Sequence, residues 1–330
     1  MFVNIFFKIS IFGIISTVLA LLGWAITFFF VNQESASLFF ESWIFRFNGI
    51  FVGGFGYGLC WFVLGNRKNL VQQIKSIFQI VNEETETKII GYFRNILYSK
   101  YYHIISLIIT FLGGLVLWNS GFPLDGFPKF YLAISVISMY YVASLLLVFV
   151  LYILSLFFFM EKNIDSFKIS ENTSIIDIEL FNSFFIASAT VAILALYFGL
   201  RGTITANFAH DAVQYKKFLI LPVIIYLPVI LIYSFYPRYI IKKLHENSIL
   251  LKIRDFEKKY LVYDNQTISN KEQLELEKLI LEIKEKLMLE RAKISILTLK
   301  DSPSLLLSII VFIQFILQKD GALSKFFSLF

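Results

Sequence analysis

The chain has 330 residues, 57% of them hydrophobic and 16% charged, with a mean hydropathy of +0.71. Soluble globular chains carry about 25% charged residues, so this composition does not fit a wholly soluble globular chain and points to a membrane. The net charge of +6 is no strong nucleic-acid signature, because a multi-pass protein gathers Lys and Arg by the positive-inside rule, and the lone Cys60 excludes a disulfide framework or a cysteine-rich metal site within one chain.

Charge is unevenly distributed: residues 1–236 hold 14 basic and 12 acidic side chains, and the last 94 residues hold 16 and 12. A membrane body over 1–236 therefore precedes a more water-exposed tail. A helix needs roughly 20 apolar residues to cross about 30 Å of hydrocarbon, and six runs meet that requirement. The first, Ser10 to Val31, is too long for a signal-peptide core and reads as an uncleaved span.

The second run, Ser42 to Leu64, carries Arg46 and Asn48 near its outer end. Arg46 either snorkels to the interface or lines, with Asn48 and neighbouring Glu41, the outer mouth of an oligomeric pore. Gly49 and Gly53, then Gly54 and Gly58, form two small-xxx-small pairs on roughly opposite faces, a pattern for close helix packing. The triplet Gly56, Tyr57, Gly58 matches part of a potassium-channel filter, but it lies mid-span without the preceding Thr and Val, so packing is the better reading.

Residues 65–100 read as a helical hairpin: Leu70, Ile74, Ile77 and Val81 recur at helical spacing, and after Glu83, Glu84 and Glu86 the pattern resumes at Ile89, Phe93 and Ile96 and runs to Lys100. The third span is Tyr101 to Trp118. The fourth, Phe130 to Met160, is 31 residues long and must tilt or project from the bilayer. A connector over 161–180 shows only a turn signal at Asn172, Thr173 and Ser174. The fifth span, Phe181 to Leu200, holds Asn182, Ser183, Ser188 and Thr190, which either bond across helices or line a wet path. Pro222 and Pro228 should kink the sixth, Phe218 to Tyr236.

The region 237–303 is helical and coiled-coil-like. Leu276, Ile280, Ile283, Leu287, Ile294 and Leu297 form a stripe that needs a partner helix, either residues 238–260 of the same chain or a second copy. In the last part, 304–330, the apolar stretch Ser304 to Gln318 rises only about 22 Å as a helix, so it is expected to be buried or interfacial rather than spanning. The fold class is thus all-α: a multi-pass membrane protein of six spans, with a short seventh apolar helix and a helical cytoplasmic domain. Lys and Arg counts in alternate loops put both termini in the cytoplasm. Heavy use of Phe, Ile, Lys and Asn suggests an AT-rich bacterial gene, hence an inner membrane.

Chemistry is sparsely encoded. His103, His210 and His245 fall in different regions, no nucleophile–base pair or His/Glu ligand set gathers at one depth, and no phosphate-binding loop or dinucleotide fingerprint is present. No catalytic residue, cofactor or metal is therefore expected, and the protein is not read as an enzyme. The six spans lack a central acid, which disfavours an ion-coupled transporter, and no internal repeat supports one. Two readings remain: a homo-oligomeric channel or pore gated through its cytoplasmic helices, and a non-conducting membrane anchor or sensor for a cytoplasmic partner.

In its layout of several spans followed by a helical cytoplasmic part, the chain resembles channel-type membrane effectors of bacterial antiphage defence. The resemblance covers the overall plan and transfers no residue. It implies a depolarising activity kept closed at rest, and a cytoplasmic regulatory protein or nucleotide ligand acting on the cytoplasmic helices. The expected partners are then the lipid bilayer, further copies of the chain and that regulator.

Overall fold

The computed structural model describes residues 2–30, 54–119, 127–170, 173–205 and 213–263, with isolated positions between 278 and 313. Its elements are α1 (Phe2–Phe30), α2 (Gly54–Gly65), α3 (Arg67–Ile77), β1 (Phe78–Ile80), α4 (Glu83–Tyr98), α5 (Tyr101–Asn119), α6 (Phe127–Lys162), β2 (Phe167–Ile169), α7 (Ile175–Thr205) and α8 (Val213–Tyr263). The chain is mostly helical. Among the described residues two helical stretches are long and apolar enough to cross a membrane, Ile137–Lys162 in α6 and Ile175–Tyr197 in α7. A third arises if α4 and the following Tyr101–Leu115, bent by 55° at their junction, form one broken span.

Four helices enclose the core. Going round it, α2 packs on α6, α6 on α8, α8 on α7 and α7 back on α2, so α6 and α7 lie on one diagonal. Phe157 of α6 and Phe185 of α7 bridge that diagonal edge to face, with ring centres 5.8 Å apart. Phe185 also meets Phe181, Phe184 and Tyr233 at 5.2, 5.7 and 5.3 Å. Edge-to-face pairs of this kind contribute about 0.5–1.5 kcal/mol each beyond the area they bury. Residues 184–191 of α7 are buried without a break, as expected of a helix surrounded by protein on every side.

Around this core, α1 packs on α2 and α5 on α6. Gly54 and Gly58 are both buried in α2, where a side chain would hold its neighbours away. Gly56, Tyr57 and Gly58 are all helical, with their carbonyls committed along the helix axis, and the Tyr57 hydroxyl donates to Ser138 of α6. The triplet is a packing element. Gly49 and Gly53, like Arg46, Asn48 and Asn172, lie outside the described residues.

At the polar end of the bundle the expected hairpin is present with one correction. Leu70, Ile74 and Ile77 are buried on α3, and Ile89, Phe93 and Ile96 on α4. Val81, expected to continue the first stripe, is instead 58% exposed beyond the end of β1. The helix stops because Phe78–Ile80 turns extended and pairs antiparallel with Phe167–Ile169, Phe78 opposite Ile169 and Ile80 opposite Phe167. This small sheet departs from the all-α expectation, and its partner strand lies too far along the chain for local periodicity to reveal. The acidic cluster starts α4: the Asn82 side chain accepts from the Glu84 N–H at 2.9 Å, and Glu83, Glu84 and Glu86 occupy the first turn, where the helix dipole favours negative charge.

The sixth expected span and the first tail helix are one element, because α8 runs for 51 residues through Pro222, Pro228 and Pro237. Near the other end of the bundle, Ile309 packs against the cluster of Ile186, Ala189 and Ile193, while Leu306, Ile310 and Ile313 are exposed. Of the tail stripe, Ile280 and Ile283 are helical and partly exposed, and Leu276, Leu287, Ile294 and Leu297 lie outside the described residues.

Phe185→Ala should therefore lower the unfolding free energy of the detergent-solubilised protein by about 3–5 kcal/mol. Ile176→Ala, on an exposed face of the same helix, should change it by less than about 0.5 kcal/mol. Equal effects in thermal or denaturant unfolding would contradict the central role of Phe185.

Candidate functional site

A membrane bundle with an apolar interior has no packing need for polar side chains there, so those it buries mark the candidate site. On α7, Asn182 is 2% exposed and Thr190 is 5% exposed; the Asn182 Oδ1 and Thr190 Oγ1 atoms have no hydrogen-bond partner among the described residues. Ser188, between them, bonds back to the carbonyls of Phe184 and Phe185 at 2.8 and 3.1 Å and lies 3.4 Å from the Tyr233 hydroxyl of α8. Ser183 bonds its own helix at the Glu179 carbonyl. Asn182, Ser188 and Thr190 are thus all buried, on different sides of a helix that is surrounded by protein.

Arg238 of α8, 1% exposed, is the largest fully buried side chain among the described residues. Its depth follows from the register of two antiparallel helices. Tyr233 lies opposite Ser188; five residues further along α8 is Arg238 and six residues back along α7 is Asn182, rises of about 7.5 and 9 Å. Arg238 and Asn182 therefore share one level at the polar end of the bundle. Along α7 the Phe185 ring lies between Asn182 and Ser188, with Phe181 beside the Asn182 level and Tyr233 beside Ser188, so polar and aromatic side chains interleave in the interior.

The Arg238 level is held by the connector between α6 and α7. Glu161, at the end of α6, accepts from the Tyr236 hydroxyl at 2.7 Å and from Lys243 Nζ at 3.0 Å. Just over one turn beyond Lys243, Ser248 Oγ accepts the Ile169 N–H of β2 at 3.0 Å, and Asn247 donates to Asp165 at 3.4 Å. Hydrogen bonding to Glu161 raises the Lys243 ammonium above its ordinary pKa. Lys243 is 42% exposed, so solvent screening limits this ion pair to under about 1 kcal/mol. It fixes geometry more than it adds stability.

The other sequence candidates are placed apart from this site. His103 bonds the Tyr141 hydroxyl at 2.7 Å in a stacked pair, and Cys60 is buried in the core. No group of three His, Cys, Asp or Glu able to hold a metal is found among the described residues.

The sequence singles out Asn182, Ser183, Ser188 and Thr190, of which Asn182, Ser188 and Thr190 are buried, and it passes over Arg238, Glu161, Tyr233 and Lys243. It assigned Arg238 to the tail because the apolar run ends at Tyr236. Continuing the helical stripe through Ser234, Arg238, Ile241 and His245 to Ser248 was the available signal. The chain matches no protein-family model, no curated protein and no solved structure.

The raised Lys243 value gives a signed pH prediction. Stability from this group is complete below the unfolded lysine pKa of about 10.4 and is lost as the pH rises through the higher folded value. The stability difference between the parent and Glu161→Gln should thus be flat from neutral pH to about 9 and narrow only above about 10.4. A difference that closes already near pH 8 in thermal unfolding would assign the effect to another group.

Proposed function

We propose that the protein is a membrane channel held closed at rest, assembled from several copies of the chain and gated through the cytoplasmic part. The observation that carries this reading is the burial of polar side chains inside an apolar bundle, Asn182 and Arg238 at one level and Ser188 and Thr190 at another, with the Phe185 ring between them along α7. An anchor needs no buried polar groups among apolar helices, whereas a conduction path needs them and a gate can be an apolar constriction that excludes water. The gate would be the rings of Phe157 and Phe185, and α8, continuous from the bundle into the polar end, would be the lever that moves them.

In this proposal six segments cross the bilayer: α1, the run ending in α2, α5, α6, α7 and the first half of α8. Both termini lie in the cytoplasm of a bacterium, the membrane is its inner membrane, and Arg46 and Asn48 stand at the outer mouth. The stripe from Leu276 to Leu297 joins copies of the chain. No catalytic step or cofactor belongs to this reading. The depolarising effector of an antiphage defence system, answering a regulatory protein or nucleotide signal, is the setting it fits. The non-conducting sensor remains the second reading, favoured by the clamp that ties β2 and the α6–α7 connector to α8.

The test is ion flux into liposomes carrying the purified protein, with its oligomeric mass measured in detergent. Phe185→Ser should raise resting flux about tenfold or more by wetting the constriction, and Thr190→Val should lower the flux so opened. Liposomes that stay silent with Phe185→Ser, when that variant keeps the oligomeric mass of the parent, would overturn the channel and leave the sensor. Ile283→Asp should lower the oligomeric mass; unchanged mass would remove the stripe from assembly.

A further inference from the structure

The two-stranded sheet at the polar end has two outer edges, and the protein treats them differently. In the β1–β2 ladder the Val81 N–H donates to the Ser166 carbonyl and the Ser170 N–H to the Ile77 carbonyl. An antiparallel ladder alternates between hydrogen-bonded and non-bonded pairs. Phe78 opposite Ile169 and Ile80 opposite Phe167 are thus the non-bonded pairs, with their peptide groups turned away from the partner strand. On β2 this outer edge is sealed: Ser248 of α8 accepts the Ile169 N–H.

On β1 the same edge is open. The Phe78 N–H is taken by the Ile74 carbonyl at the end of α3, which leaves the Phe78 carbonyl and both peptide groups of Ile80 pointing outward. Among the described residues these have no backbone partner. They border a cleft of about 650 Å³ between α3, β1 and α4, within the 300–1,000 Å³ range of ordinary binding pockets. Its far wall is apolar, with Phe93 buried and Ile90 54% exposed. An unpaired strand edge beside exposed apolar side chains is a template for another strand.

The two charges of the cleft fix what that strand carries. Lys75 lies over the Phe93 ring at 5.3 Å, and Glu86 is two helical turns before Phe93 on α4. A separation of seven residues places the cation and the acid about 10 Å apart along α4, and side chains four residues apart on an extended chain share a face, about 13 Å apart at the backbone and within side-chain reach of both.

We infer that this cleft binds an extended peptide segment of a partner protein, which adds as a third strand on the open edge of β1. The segment is apolar at its centre, where it packs on Ile90 and Phe93, and carries an acidic residue at the Lys75 end and a basic residue at the Glu86 end. Backbone bonds to Phe78 and Ile80 supply affinity and the two charges supply register. The site is independent of whether the membrane body conducts. Its consequence for the rest of the molecule is direct, because β1 pairs with β2 and β2 is bonded to α8.

The test uses the full chain in detergent and a fluorescent, end-blocked pentapeptide with aspartate and lysine at its ends and three β-branched residues between. Saturable binding by anisotropy is expected. Methylating the central backbone nitrogens should weaken it about tenfold, as should Ile80→Pro, which deletes the outward N–H without touching the β1–β2 ladder. Val81→Ala, next to the open edge but outside the cleft lining and with its own N–H committed to Ser166, should bind like the parent. Absence of saturable binding up to about 1 mM peptide, or binding indifferent to both methylation and Ile80→Pro, would overturn the proposal. If Ile80→Pro fails to fold, the methylated peptide decides alone.

Discussion

The packing of Phe185 against four other aromatic rings is the constraint on which the rest of the bundle depends. Because α6 and α7 lie on a diagonal, their backbones are held apart and only large side chains can span the interior. Phe157 and Phe185 do so edge to face, with Phe181, Phe184 and Tyr233 closing the gaps. Core packing at crystal-like density leaves little freedom for such a cluster to shift gradually. Any opening of the interior has to move a whole helix, and the bundle offers α8 for that purpose.

What holds α8 in place is polar and lies at one end. Tyr236 and Lys243 reach Glu161 on α6, Ser248 reaches the β2 backbone, and Arg238 is buried between these contacts and the aromatic cluster. The contacts are individually modest, since Lys243 is partly exposed and screened by solvent. Their value is positional. Tyr233 and Ser248 belong to one helix, in which Pro237 removes the single backbone hydrogen bond that would reach back to the Tyr233 carbonyl.

A second mechanical element sits on the opposite side of the polar end. The chain turns by 55° between α4 and α5. The Ser99 hydroxyl at this elbow bonds the Tyr152 hydroxyl of α6 at 2.8 Å, while the Tyr102 hydroxyl closes back on the Ile96 carbonyl at 3.1 Å. The α3–β1–α4 unit is therefore tied to the membrane helices in two places, through β2 to α8 and through the elbow to α6. Among the described residues the unit thus has two polar attachments to the bundle, one on α6 and one on α8.

The sequence by itself determined that the chain is an apolar, mostly helical membrane protein, which faces of α3 and α4 are buried, and that Asn182, Ser188 and Thr190 are unusual within α7. These follow from composition and from periodicity over a few turns, which local sequence records. Three features depended on the tertiary structure. The strand at Phe78–Ile80 exists only because Phe167–Ile169 lies beside it, a pairing of residues nearly ninety positions apart. Arg238 reads as a solvated tail charge, since one residue's burial depends on which helices surround it and not on its own neighbours in the chain. The aromatic closure around Phe185 was equally hidden, because 38 phenylalanines make each one unremarked in sequence and only the diagonal placement of α6 and α7 decides which of them meet.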